Sequence, residues 1–355
     1  GKLRPDRAPA QPINCKVNFL HKNHVYHLMP TNRSIKSYIS NTRYNENLLK
    51  AIIPTVDLVI GYAPLSAAEL AQKIAKKNKK PFLCFLVACP WDALHNHQRF
   101  LARFMAPWRF LRTRKMVAES NYVHYVTSEF LQKRYPTKGK SIGCSDVNLG
   151  EIDKEALSMR TNMRMQKKDS DEVKIITTAG VDVKYKGQEY VIRSLAKLKE
   201  EGIAKYKYYL IGGGGGSYLK RLCERLGVED LVCFCGRKTS EEVFNMLKNG
   251  DIYIQPSLQE GLPRSVVEAM SFALPCIGFN TGGIPELLNS HYVIEKRDVK
   301  GIASALLALD DKDEYLREAR RSYEKAQSFD HAKLQSRIRD FFMEIKTEIL
   351  NQRNI

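Results

Sequence analysis

The stretch QEGLPRSVVEAM, Gln259–Met270, sets two carboxylates, Glu260 and Glu268, on either side of a Gly-Leu-Pro turn and the start of an apolar helix. Neither acid is needed for that helix to fold. Pro263 at a helix start is favourable, because its missing N–H would have had no partner in the first turn. Gly261 allows the backbone close approach to a ligand. The helix N-terminus that follows offers unpaired N–H groups and the positive end of a dipole, a seat for phosphate. Carboxylates repel phosphate but accept paired hydroxyls well. The pattern therefore points to a sugar on either side of a phosphate, with Glu260 on one ring and Glu268 on the other. The plainer alternative makes Glu268 a surface helix residue and Glu260 a partner of the helix dipole, and spacing alone leaves both open.

The elements that must position these acids are clearest in the second half. Short β-branched runs (VKIITTAGV from Val173, YKYYLIGG from Tyr206, LVCFCG from Leu231, DIYIQPS from Asp251, PCIGFN from Pro275) alternate with helical patterns such as GQEYVIRSLAKLKEEG from Gly187 and SEEVFNMLKNG from Ser240. That alternation predicts a doubly wound parallel sheet, which binds ligands beyond the C-terminal ends of its strands. The first half repeats the logic less cleanly. It has strands at NHVYHLMP, VDLVIGYAP, PFLCFLVA and YVHYVTS, and helices at NENLLKAII, LSAAELAQKIAKKN, about Gln98–Ala118 and SEFLQKRYP. After Gly1 there is no glycine until Gly61, so the glycine-bearing loop that usually follows a first strand is missing from view. The polar stretch Gly150–Glu172 reads as the linker, and the tail from His331 as one long amphipathic helix. The resulting division is 1–160, a basic domain; 161–330, the more regular doubly wound domain; and 331–355, a terminal helix.

Charge separates the halves. Of 57 Lys and Arg and 39 Asp and Glu, residues 1–150 hold 24 and 8, a net of +16, while the remainder is only +2. That asymmetry calls for a polyanionic partner of the first half: an anionic membrane, a phosphorylated lipid or sugar, or nucleic acid. The eight cysteines form no CxxC and several sit in apolar runs, which fits reduced buried thiols in a cytosolic protein rather than a disulfide framework or zinc site. No apolar run approaches the roughly 20 residues that span a bilayer, and no signal peptide is visible.

Glu260–Leu288, EGLPRSVVEAMSFALPCIGFNTGGIPELL, resembles the nucleotide-sugar signature of retaining GT-B glycosyltransferases of the family-4 type: two glutamates separated by seven residues, a Pro-led strand and a Gly-Gly turn. The resemblance is strong over Val173–Leu288 and rests on the order of elements in the first half. It implies a fold of two Rossmann-like domains with a cleft between them, 1–160 binding the acceptor and 161–330 the nucleotide-sugar, with the helix of 331–355 crossing back to the first. It also implies that Glu268 binds the ribose and Glu260 the donor sugar, with the backbone of Gly261 and Leu262 alongside. AGVDVKYKG, Ala179–Gly187, is similar to the family loop that ends in Lys-Gly, so Gly180 and Lys186 are implied to hold the diphosphate. There a lysine would stabilise the departing group without a metal. The arginine common after the first glycine is Val181 here, and Lys184 is not aligned with it, so Arg264 or the first half is left to supply that charge. FCGRK matches the stretch facing the base, which puts Arg237 and Lys238 there. IGGGGG, Ile211–Gly216, is a weak signal, more often a structural turn than a phosphate cradle.

On the acceptor side, where many relatives carry a histidine, this chain has Val87-Ala88-Cys89. Asp92, His95 and His97 in CPWDALHNH are the nearest substitutes, each equally readable as a cap or surface residue. The helix RFLARFMAPWRFLRTRK suits an interfacial membrane element, with Phe104 and Trp108 into the headgroups and Arg99, Arg103, Arg109 and Arg112 onto anionic lipid. A core helix with a basic outer face fits the same pattern. No nucleic-acid module is present. The resemblance thus implies a metal-independent, retaining hexosyltransferase with no cofactor beyond its UDP- or GDP-linked donor substrate. Its acceptor would be a lipid-linked saccharide or oligosaccharide in surface polysaccharide synthesis, met on the cytoplasmic face of the membrane. Its rivals are a non-catalytic sugar-nucleotide or polyanion binder and an epimerase or hydrolase of the same fold.

Overall fold

A computed structural model describes residues 35–96 and 100–353. The strand expected at NHVYHLMP and the residues His97 and Arg99 lie outside them. Two parallel sheets organise the chain. The first runs β1 (Val59–Ala63), β2 (Phe82–Leu86), β3 (Tyr122–Tyr125) and β4 (Lys140–Gly143), in that spatial order. Helix α1 (Ile35–Ile52) precedes it. Helices α2 (Ser66–Lys77), α3 (Pro90–His95), α4 (Phe100–Ala118) and α5 (Phe130–Arg134) make the crossovers.

Because the strands advance in one direction only, right-handed crossovers put α2–α5 on one face. The strands alternate accordingly: Phe82, Cys84 and Leu86 join the helical core with Val123 and Tyr125, while Leu83 and Tyr122 point the other way. That second face is covered by the last helix, α13 (His331–Arg353), through Phe341 and Ile345. Lys140 also pairs with Glu344 and Glu348 at 2.8 and 2.6 Å. The apolar contact dominates the docking, since burying a large apolar side chain is worth about 1.5–3 kcal/mol and an exposed ion pair about 0–1.

The second sheet has the order β10-β9-β8-β5-β6-β7. The stretch expected to be a plain linker contains α6 (Ala156–Gln166), docked on the second half. Its Arg160 and Arg164 are buried, with Arg160 donating to the carbonyls of Leu247 and Lys248, both at 3.1 Å, and to that of Gly250. A helix that buries arginines rather than aliphatics carries no apolar stripe to read. From β5 (Val173–Thr178) the chain moves through α7 (Gln188–Glu200), β6 (Tyr206–Ile211), α8 (Ser217–Leu226), β7 (Val232–Gly236) and α9 (Ser240–Lys248). It then returns to the other side of β5 with β8 (Ile252–Gln255), α10 (Arg264–Ser271), β9 (Cys276–Phe279), β10 (Val293–Ile294), α11 (Val299–Ala308) and α12 (Lys312–Gln327). β5 and β8 are thus neighbours, Ile175 opposite Ile252, and the strand order reverses between them. A crevice at the C-terminal ends of such a pair is where open α/β sheets bind ligands. All seven described cysteines are free.

Candidate active site

The two loops at that reversal carry the two charged residues singled out from the sequence. Lys186 closes a single 3-10 turn, Lys184–Lys186, after β5, and Glu260 lies in the loop after β8. Their side chains meet, Lys186 Nζ to Glu260 Oε1 at 2.7 Å. Gly187 makes this possible. Its φ is +73°, and a Cβ there would stand 1.9 Å from the carbonyl oxygen of Pro256, so only glycine lets the first loop press on the second. Leu258 N–H donates to the Tyr185 carbonyl at 2.7 Å and fastens the two loops together.

Gln255, at the end of β8, had no signal in the sequence beyond its place before a Pro. Its amide nitrogen donates to Glu260 Oε1 at 3.0 Å and to Ser257 Oγ at 2.8 Å. Its amide oxygen accepts from Tyr253 at 2.8 Å and Ser265 at 3.1 Å. Glu260 is therefore held on one oxygen by a charge and an oriented amide, and no contact falls on Oε2 among the described residues.

Pro263 occupies the position just before the helix rather than its first turn, and α10 begins at Arg264 with no side-chain cap. Glu268 sits on α10, half-buried, with no hydrogen bond to its carboxylate among the described residues. Burial pushes its carboxyl above the usual carboxylate range, with exposed Arg264 one turn earlier pulling the other way. A desolvated carboxylate without donors suits paired hydroxyls, since a buried acceptor left unmade is costly.

Around this pair the remaining residues divide. The Gly180 carbonyl accepts from Gln188 at 3.2 Å. Val181 is buried in the core, and the next residue, Asp182, accepts from the N–H groups of Gly215 and Gly216 at 2.9 and 2.8 Å. The glycine turn after β6 is thus tied down by a carboxylate from its own half. Lys184 lies over the Tyr218 ring, away from Lys186. Arg237 is exposed and stands beside Gly213, whereas Lys238 pairs with Glu242 at 3.1 Å in the cap of α9. Leu262 is buried, leaving its backbone to face a ligand.

The first half approaches this loop closely. A Cβ on Gly261 would stand 2.4 Å from the Val87 carbonyl oxygen, and Asn96 donates to the Leu258 carbonyl at 2.8 Å. Asp92, expected as an acceptor-side candidate, is buried and faces Arg134 at 3.7 Å. A carboxylate drawn inward to a cation of its own half is not presented as a free base. His95 stacks on Trp91 at 5.7 Å. On α4, Phe104, Met105, Trp108 and Leu111 are 67, 51, 48 and 61% exposed and share one face, beside exposed Arg103, Arg114 and Lys115. Arg109 corrects the sequence reading. It turns inward to the buried carboxylate of Glu69 and the Pro64 carbonyl, because Glu69 needs a cation to be buried at all. Arg112 adds a second at 2.7 Å while lying over Trp108.

Residues 159–327 match the family described as glycosyl transferases group 1. Protein CapJ of Staphylococcus aureus is 28% identical over 270 residues, 75% of this chain and 66% of CapJ. The amylovoran biosynthesis glycosyltransferase AmsK of Erwinia amylovora is 30% identical over 158 residues, 42% of this chain and 38% of AmsK. The chain thus spans less than two thirds of the length of either relative. Its fold matches that of Anabaena HepE, solved in complex with UDP, with a TM-score of 0.65 at 16% identity, covering 84% of this chain and 82% of HepE. The second half of the chain thus matches the group 1 glycosyl transferases, and the two sheets together have the GT-B architecture.

Proposed function

We propose that this chain is a retaining glycosyltransferase that moves a hexose-type sugar from a UDP- or GDP-linked donor to a saccharide acceptor, lipid-linked and used in surface polysaccharide assembly. The observation that carries this reading is the Lys186–Glu260 pair at the β5/β8 reversal, with the unbonded Glu268 further along the same loop and helix. The donor's diphosphate takes the place beside Lys186 Nζ, Glu260 turns to the sugar hydroxyls, and Glu268 accepts the two ribose hydroxyls. As the bond from the anomeric carbon to the diphosphate breaks, Lys186 balances the charge that collects on the leaving oxygens. The acceptor hydroxyl attacks the same face, and its proton passes to that diphosphate, so no protein nucleophile or metal is invoked. HepE's UDP complex and the biosynthetic name of AmsK support donor and pathway class.

The acceptor side of the proposal is peripheral binding to an anionic cytoplasmic membrane surface through the Phe104–Trp108 face of α4. No described helix is long and apolar enough to cross a membrane. Thermal stabilisation by a panel of nucleotide diphosphates and their sugars, with Glu268→Ala beside the native chain, tests the donor site by mass action. A midpoint rise with one base that is lost in the variant is the expected result. No rise with any of them overturns the donor assignment. Stabilisation without transfer to lipid-linked acceptor would favour a non-catalytic binder.

A further inference from the structure

Glu286 ends the Gly-Gly turn after β9, in the short turn Ile284–Glu286. Its carboxylate leaves the second half and accepts three backbone N–H groups of the first: Ser128 at 2.6 Å, Glu129 at 3.1 Å and Phe130 at 2.7 Å. These amides open α5, whose N-cap residue makes no side-chain cap of its own. A helix start needs acceptors for its first N–H groups. Here the acceptor is a carboxylate from the other half, and bonds from backbone amides to a carboxylate are the strong kind.

The surroundings do not duplicate this grip. Beside Glu286 lies a cavity of 270 Å³, lined in part by Ser128, Glu129, Ser145, Lys325 and Arg337, so the halves are not sealed there by packing. The grip also connects to the site. Gly283 N–H donates to the Gly261 carbonyl at 2.6 Å, and Gly261 follows Glu260 directly. A shift of α5 relative to the second half therefore reaches the backbone that carries Glu260.

We propose that Glu286 is a positioning residue across the cleft: its grip on the three α5 amides fixes how far the two halves close and, through Gly283 and Gly261, where Glu260 stands. This inference rests on the transferase reading above, and its test separates the two. Glu286→Gln and Glu286→Ala are made in the full chain. They are compared with the native protein by hydrogen exchange over Val126–Leu131, by small-angle scattering, by donor-induced thermal shift and by transfer rate. Exchange at Ser128–Phe130 is expected to quicken about 10- to 100-fold, while protection in β5–β9 stays native. The radius of gyration should rise, and transfer kcat/KM should fall by a similar factor with the donor-induced shift retained. Unchanged exchange at the three amides, or unchanged transfer despite faster exchange, overturns the proposal. Glu286→Gln covers the case in which the alanine variant does not fold, since it keeps the shape and one acceptor. A native chain that binds no donor would instead overturn the transferase reading, whatever the exchange shows.

Discussion

The two halves use charge in opposite ways. In the second half the site's ions are spent on one another: Lys186 on Glu260, Asp182 on two glycine amides, Lys238 on Glu242. The half is close to neutral, and its polar groups form a prepared surface of fixed geometry. In the first half, which carries a net charge of +16, Lys73, Lys77, Lys79, Arg114 and Lys115 are among the basic side chains exposed to solvent. The buried carboxylates of this half, Glu69 with Arg109 and Arg112 and Asp92 with Arg134, hold helices in place. The proposed donor would be met by preorganised partners, and the proposed anionic surface by a broad field of exposed charge. The first kind of recognition leaves a motif, and the second leaves only a composition.

The sharpest way to break this contrast is Lys186→Ala, which removes the cation proposed to face the leaving group. Transfer is expected to fall about 10²- to 10³-fold with the fold intact, as when a preorganised electrostatic partner is lost elsewhere. A loss below tenfold in steady-state kinetics would mean the charge comes from another residue, Arg264 or Arg237 first.

A second test exploits burial in the first half. His124, on β3, is buried against Phe85 with both ring nitrogens unpartnered, and desolvation lowers its pKa to about 4, helped by nearby Arg337. The unfolded chain takes up that proton first, so stability is full above the ordinary histidine value and is lost as pH falls from about 6.5 towards 4. The loss approaches about 3 kcal/mol, and His124→Phe should flatten the acid limb of a denaturation-midpoint profile. An unchanged limb would place the acid sensitivity elsewhere.

Gly187→Ala comes next. The added Cβ meets the Pro256 carbonyl in a left-handed backbone, and a destabilisation of about 1–3 kcal/mol is expected in thermal unfolding, with donor-induced stabilisation weakened. Glu268 gives a second effect that appears as pH falls, in ligand affinity rather than in stability. Its raised carboxyl protonates earlier than an ordinary glutamate as pH falls, so nucleotide-diphosphate affinity should begin to drop above the usual carboxylate range. Isothermal titration across pH checks this, and an affinity that holds until the ordinary range speaks against the ribose role. The smallest effect belongs to the outward field. Trp108→Ala should weaken binding to anionic vesicles by about tenfold or less, and raised salt should weaken it further. Equal binding by the variant and the native chain would remove α4 from the proposed contact.

What the sequence shows of the site follows the same division. Glu260 and Glu268 stand out because a strand end, a turn and a helix start bracket them, but spacing leaves their role open, and Lys186 is reached only through the resemblance of its loop to the family's. Asn96 and Glu286 are not legible, because their partners lie across a fold boundary that local spacing does not record, and Gln255 is not, because its partners Tyr253, Ser257, Glu260 and Ser265 are gathered by the path of one loop. Arg109 is misread for a related reason. Its partner Glu69 is 40 positions earlier, and a helix rich in arginine on several sides does not say which side meets α2. α6 escapes notice because its buried face is made of arginines donating to carbonyls rather than of leucines. The doubly wound alternation is visible in the second half for five of the six strands, as apolar runs bounded by turn residues, while the two-residue β10 offers no run to read.

The return of α13 has a consequence for biogenesis. Tyr122 on β3 donates to Glu348 at 2.9 Å, 226 positions later, and Leu83 is covered by Phe341 and Ile345. During synthesis the first sheet emerges with one face bare and stays so until the second half has been made, so vectorial, domain-by-domain maturation cannot finish the first half alone. Expressed without α13, that half would carry an open apolar sheet and depend on chaperones to remain dispersed.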